Sequence, residues 1–261
     1  LALAHEAKRA NEAKTKTPFT VVIGNPPYKG HSMNPSKIKN KLTFAGEIIQ
    51  RFFQVRGVPL GEKNPKWLNN DYVKFIAFAM RQIEKSGVGV LGYITSNSWL
   101  DSPTFRGVRT EVIDCFPQLR IVDLHGNIKK REIADDGTRD EGVFAIEEGT
   151  NITIGGKLST VGALLQCDLL GKVGDGNSDD GKLYWLERHH LTDVNSLIAP
   201  TAPFFTLSAT VASNDDSYLM LPSVKAVLPT SCLGFQTHRD HFAIAIEKSE
   251  IESRAVEFSD N

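Results

Sequence analysis

FTVVIGNPPY, residues 19–28, decides how the rest of the chain is read. Phe19 to Gly24 is short, apolar and rich in β-branched residues, the composition of a parallel strand buried on both faces. It runs directly into Asn25-Pro26-Pro27-Tyr28. Neither proline has an N–H and each ring fixes φ, so neither a ladder nor a helix continues and the chain must turn. In an open parallel sheet the carboxyl ends of the strands form the ligand crevice, which puts this tetrapeptide where chemistry happens.

Outward from that stretch, Leu1 to Lys16 is rich in Ala, Glu and Lys and predicts a helix. Downstream, a polar stretch leads to a helix near Phe44 to Gln54. Asp71 caps an amphipathic helix with Tyr72, Val73, Ile76, Ala79, Met80 and Ile83 on one face, and Gly87 stops it. Val88 to Ile94 is the next strand. Ser102-Pro103 opens a helix with Phe105, Val108, Val112 and Phe116 at helical spacing, and Leu119 to Leu124 is a third strand. This alternation predicts an α/β fold with a largely parallel sheet, the 24–28 turn ending a central strand flanked by 88–94 and 119–124. After a charged loop from His125 to Glu141, Val143–Leu158 and Val161–Leu170 are weaker strand candidates. GKVGDGNSDDGK, residues 171–182, is too polar to pack and marks a linker. It divides residues 1–170 from 183–261, where Pro200, Pro203, Pro222 and Pro229 are scattered and no secondary structure is assigned.

Composition is ordinary for a globular protein, 41% hydrophobic and 23% charged. No apolar run reaches the roughly 20 residues of a membrane span and no signal peptide opens the sequence. Cys115, Cys167 and Cys232 are few and widely spaced, which fits free thiols in a reducing cytoplasm. With a net charge of −1, nucleic-acid contact would need local cationic patches. Lys29, Lys37, Lys39 and Lys41 form one candidate and Lys129, Lys130 and Arg131 another, though each taken alone reads more readily as a solvated face. His189-His190 has no other ligand-type residues at suitable spacing, so no metal is expected. No Gly-x-x-x-x-Gly-Lys-Ser/Thr loop, and hence no motor motif, is present.

The tetrapeptide suits one task. The Asn25 amide oxygen and the Pro26 carbonyl can both accept hydrogen bonds from a planar amino group, and the prolines hold those acceptors rigid. Tyr28 offers a face on which a nucleobase can stack, worth roughly 1–3 kcal/mol. A base inside a duplex would have to be flipped out to reach it. The bland alternative is a simple turn after a strand.

From Phe19 to about Gly149 the chain resembles the methyltransferase domain of the single-polypeptide (type ISP) restriction–modification enzymes and their adenine-methylating relatives. The stretches that carry the resemblance are GNPPYKGHSMN, EKNPKWLNNDYVKFIAFA, YITSNSWLDSPTFRGVR, DLHGNIKKRE and DEGVFAIEEG. A weaker likeness, in GFQTHRDHFAIAI (residues 234–246), is to the join with that family's specificity domain, where Arg239 and Asp240 match a turn. The resemblance implies a partial Rossmann-like methyltransferase sheet followed by a partial target-recognition region. It implies methyl transfer from S-adenosylmethionine to N6 of a flipped adenine in double-stranded DNA, with nuclease or helicase domains in complete relatives. Asn25, Pro26, Pro27 and Tyr28 would clamp and stack the adenine, and Phe144 matches the aromatic on its other face, the alternative being an ordinary core Phe. Thr95, Ser96 and Asn97 would lie on the crevice rim or form a satisfied polar turn. His125, Gly126 and Asn127 also follow a strand end.

The main departure concerns the methyl donor. In this family its glycine-containing loop and acidic residue precede the Asn-Pro-Pro-Tyr strand, and only a helix and a strand are legible in residues 1–24. The donor-binding half is therefore expected outside this chain, and the isolated chain is expected to be inactive. Two other readings stay open: a methyltransferase acting on protein glutamine or RNA, and a non-catalytic remnant that binds DNA or a partner subunit.

Overall fold

The computed structural model describes residues 2–28, 32–62, 65–134, 136–160, 162–174, 180–208, 220–222, 224–230 and 244–259. In chain order these form α1 (Ala2–Lys16), β1 (Val21–Gly24), the hairpin β2 (Lys37–Ile38) and β3 (Lys41–Leu42), α2 (Phe44–Ile48), and the hairpin β4 (Gln54–Val55) and β5 (Val58–Pro59). Then come α3 (Asp71–Ser86), β6 (Gly89–Ser96), α4 (Ser98–Asp101), α5 (Arg106–Cys115), β7 (Gln118–His125), β8 (Thr150–Lys157) and β9 (Leu164–Asp168). The last are α6 (Gly181–Arg188), β10 (Ser196–Leu197), α7 (Val224–Val227) and α8 (Lys248–Ser259). Residues 1–212 form one compact unit and residues 213–261 another. In the second, α8 carries the i,i+4 pairs Lys248–Glu252 and Glu250–Arg254.

The fold is α/β around a six-stranded sheet ordered β1-β6-β8-β7-β9-β10. The helices form as their patterns require. The six apolar positions expected on α3 are all buried, and Gly87 ends it in the left-handed conformation with its N–H on the carbonyls of Ile83 and Glu84. Each such fully buried side chain contributes about 1.5–3 kcal/mol. Asn70, rather than Asp71, is the N-cap residue of α3. The Asp71 carboxylate instead reaches across to the segment after the tetrapeptide. It accepts from Ser32 Oγ at 2.5 Å, Met33 N at 2.9 Å and Asn34 Nδ2 at 3.2 Å. Lys74, one turn on, donates to Ser32 Oγ and the Asn34 carbonyl.

Two expectations about the sheet need correction. It is mixed, not largely parallel: β8 lies between β6 and β7 and runs antiparallel to both. And β1 is an edge strand, not a central one. Its neighbour is β6, in parallel register from Val21↔Val90 to Gly24↔Tyr93, while β7 is two places further in. The reason is that the chain returns after β7 through a long loop and inserts β8 into the gap. The first unit also runs past the linker expected at 171–182. Strand β10 pairs with β9, and the Leu207 N–H bonds the Leu100 carbonyl. The buried guanidinium of Arg109 on α5 donates to the carbonyls of Trp99, Ser102 and Phe204. Burial lowers its pKa to about 10, so it stays charged at neutral pH.

Candidate functional site

Because β1 and β6 are parallel, and β6 and β7 both oppose β8, the carboxyl ends of β1, β6 and β7 meet at one end of the sheet. The loop that enters β8 starts at that same end. The topology thus gathers Asn25–Tyr28, Thr95–Asn97, His125–Asn127 and Phe144, which are far apart in sequence.

Gly24 leads into the turn at a close approach to Tyr93, where a Cβ would sit 3.1 Å from the ring and the ring would have to give by a few tenths of an ångström. Asn25 and Pro27 are exposed, Pro26 is buried and Tyr28 is half-buried. The Tyr28 hydroxyl donates to Asn25 Oδ1. Burial, partly opposed by this bond, raises the Tyr28 pKa, so the hydroxyl remains a donor. An amide oxygen has two lone pairs, so one still faces outward. Across from it, the Phe144 ring lies 6.4 Å from that of Tyr28, tilted by 51°. A planar base between two rings needs about 7 Å, twice a van der Waals contact. Phe144 is a half-buried loop residue rather than a strand residue of the core.

Beside the rings, Pro27, Tyr28, Lys129, Ile146, Glu147 and Glu148 line a cavity of about 370 Å³. Its polar lining carries two carboxylates, and Lys129 is paired with Glu147 at 2.8 Å. Such a lining disfavours an anionic ligand. A second recess, of about 760 Å³, shares Lys129 and is otherwise lined by Ile128, Arg131, Ile133, Gly137 and Arg139.

The expected rim residues are turned inward. Thr95, Ser96 and Asn97 are buried, and Asn151 Nδ2 donates to the Thr95 and Ser96 carbonyls and to Thr95 Oγ1. Asn97 donates to Asp123 at 3.1 Å and its N–H holds the Gly149 carbonyl, anchoring the loop that carries Phe144. His125, in the left-handed conformation, sits between Asp168 (2.9 Å) and Glu132 (3.3 Å). Burial works to lower its pKa, but those two carboxylates and Asp123 push it up to about 10. Asp123, His125 and Asp168 also have the composition of a metal site, but the two ring nitrogens of His125 face Asp168 and Glu132, and Asp123 accepts from the His125 backbone N–H. Asn127 Oδ1 caps the N–H groups of Lys129 and Lys130.

Of the expected cationic residues, Lys37, Lys39 and Lys41 are exposed on the β2–β3 hairpin, whereas Lys29 lies outside the described residues. Lys130 pairs with Asp101 at 3.2 Å, and Arg131 is exposed with no ion pair among the described residues. Arg139 was missed by sequence reasoning; only folding brings it beside Arg131. His189 stacks on Trp185 at 4.4 Å, a helix-end contact. Burial raises the thiols of Cys115 and Cys167 to about 11, so neither is an activated nucleophile. Cys232, Arg239 and Asp240 lie outside the described residues.

Residues 2–129 match the family model of the Eco57I restriction-modification methylases. That stretch, just under half of the chain, is similar to this family. No curated protein matches the chain closely enough to count as a relative. Among solved structures, the DrdV–DNA complex is similar over 98% of this chain and 26% of its own, at 20% identity and a TM-score of 0.71. The ATP-dependent Type ISP restriction-modification enzyme LlaBIII bound to DNA is similar over 95% of this chain and 16% of its own, at 22% identity and a TM-score of 0.66. These likenesses concern the fold, and the chain spans about a quarter or less of the length of either. Among the described residues no helix is long and apolar enough to cross a membrane.

Proposed function

We propose that this chain supplies the base-holding part of a DNA adenine-N6 methyltransferase in a restriction–modification system. The observation that carries the reading is the Tyr28–Phe144 pair with the Asn25 amide oxygen beside it, at the end of the sheet where a ligand crevice belongs. The adenine, flipped from the duplex, enters between the two rings, which part and turn toward parallel to admit it. Its amino group donates to Asn25 Oδ1 and the Pro26 carbonyl. Those bonds draw the nitrogen lone pair out of conjugation with the ring and aim it along a fixed direction. The methyl group comes from S-adenosylmethionine. Among the described residues no strand before β1 ends in a glycine-containing loop, so these residues alone do not form a site for the donor. The free edge of β1, where Val21 is 56% and Ile23 80% exposed, is where strands carrying the donor's cradle would pair. The match of residues 2–129 to a restriction–modification methylase family favours DNA over protein glutamine or RNA. The test is to supply the holoenzyme containing this chain with labelled S-adenosylmethionine and DNA, RNA or protein. Label in DNA, mapped to N6 of adenine at defined sites, supports the reading; label confined to glutamine or RNA overturns it.

A further inference from the structure

We infer that the hairpin formed by residues 131–134 and 136–140 enters the duplex beside the target base. Ile133 would occupy the space the base leaves, and Arg131 and Arg139 would hold the flanking phosphates. The inference rests on the base-holding role proposed for the neighbouring cavity. Four observations carry it. The recess lined by Ile128, Arg131, Ile133 and Arg139 adjoins that cavity through Lys129, which lines both. Ile133 is 64% exposed although its backbone is fixed by a bridge to Arg139 and by the bonds Ala134 N to Thr138 O and Asp140 N to Glu132 O. Ile128, 50% exposed, lines the same recess, so the exposed apolar surface there is a shared patch rather than a single side chain.

The third observation is how the charges are sorted. Glu132 is turned inward onto His125, and Asp140 is held by the buried Lys182 and by the N–H groups of Gly126 and Gly171. Asp136 is engaged by Thr138. Arg131 and Arg139 are left exposed and without an ion pair among the described residues. Fourth, the hairpin's base is locked by the Asp140–Lys182 pair at 2.7 Å, both side chains 1% exposed, so force on the tip is met by the body of the protein. Cations beside an apolar wedge complement a polyanion whose bases must be unstacked.

The experiment uses duplexes carrying the mapped methylation site with 2-aminopurine in place of the target adenine, either paired or opposite an abasic position. Fluorescence reports extrusion. Ile133→Ala should lower extrusion from the paired duplex about tenfold, a modest part of the unstacking energy. It should leave the abasic-opposed duplex unchanged, because there the partner is already gone. Arg131→Ala and Arg139→Ala should weaken both duplexes alike and reduce the salt slope of binding by about one each. Extrusion of the paired duplex by Ile133→Ala at the wild-type level, or an equal loss on both duplexes, overturns the hairpin's role and leaves the base cavity standing. A wild-type protein that extrudes neither overturns both.

Discussion

The hydroxyl of Tyr28 donates to the amide oxygen of Asn25, so the residue proposed to stack also orients the residue proposed to accept. Read from sequence, the ring alone carries Tyr28's role, and Tyr28→Phe should behave as wild type. The bond changes that. A neutral hydrogen bond contributes about 1 kcal/mol, so Tyr28→Phe should lower turnover about fivefold, by freeing the Asn25 amide to rotate. Tyr28→Ala also removes the stacking face and should cost about 10–100-fold, with the Michaelis constant rising too. Steady-state kinetics of the two variants separate these contributions. His125 makes a prediction of its own. Its pKa is raised from 6.5 to about 10, so folding favours the protonated ring. The stabilisation is complete below 6.5 and is lost as pH rises through about 10. His125→Gln should therefore be less stable than wild type in urea melts at about pH 6, with the gap closing by about pH 11.

At the scale of elements, α3 and α5 were legible because helical periodicity and burial agree. Tyr72 through Ile83 and Phe105 through Phe116 fall where the spacing places them. Strand β8 was legible only as a weak candidate, since TNITIGGK mixes polar residues and glycines. Its glycines have a packing reason visible only in three dimensions: a Cβ on Gly155 would sit 2.7 Å from the Phe116 ring. Strand direction has no signature in hydrophobic pattern, which is why the antiparallel insertion between β6 and β7 could not be read. Nor could the bond from Lys182 to Asp140, two residues in stretches of loop-like composition. That pair is the cleanest test of how the 131–140 hairpin is held. Lys182→Met strands a buried carboxylate and should destabilise the protein by about 3–5 kcal/mol, read as a lower urea midpoint. Lys182→Met with Asp140→Leu should recover only part of the loss, because the N–H groups of Gly126 and Gly171 lose their acceptor.

For the whole molecule, the α/β class and the meeting of strand ends at Asn25 were legible from strand–turn order. The extent of the first unit was not, because Arg109 reaches Phe204 across 95 positions and no local pattern announces that contact. The β1 edge is the other feature of this scale. With Ile23 80% exposed on a strand paired on one side, it offers a template for another strand. Ile23→Lys should reduce self-association of the chain in sedimentation velocity. In the holoenzyme it should weaken assembly of the donor-binding part if that part docks there. The central claim is that the Asn25–Tyr28 turn clamps the adenine amino group. The most direct measurement is the rate of N6-methyladenine formation by the holoenzyme carrying Asn25→Ala, alongside its DNA affinity. Losing one preorganised acceptor should lower turnover by about 10²–10³ while affinity, set mainly by phosphate contacts, changes little. Methylation by Asn25→Ala at the wild-type rate would contradict the account.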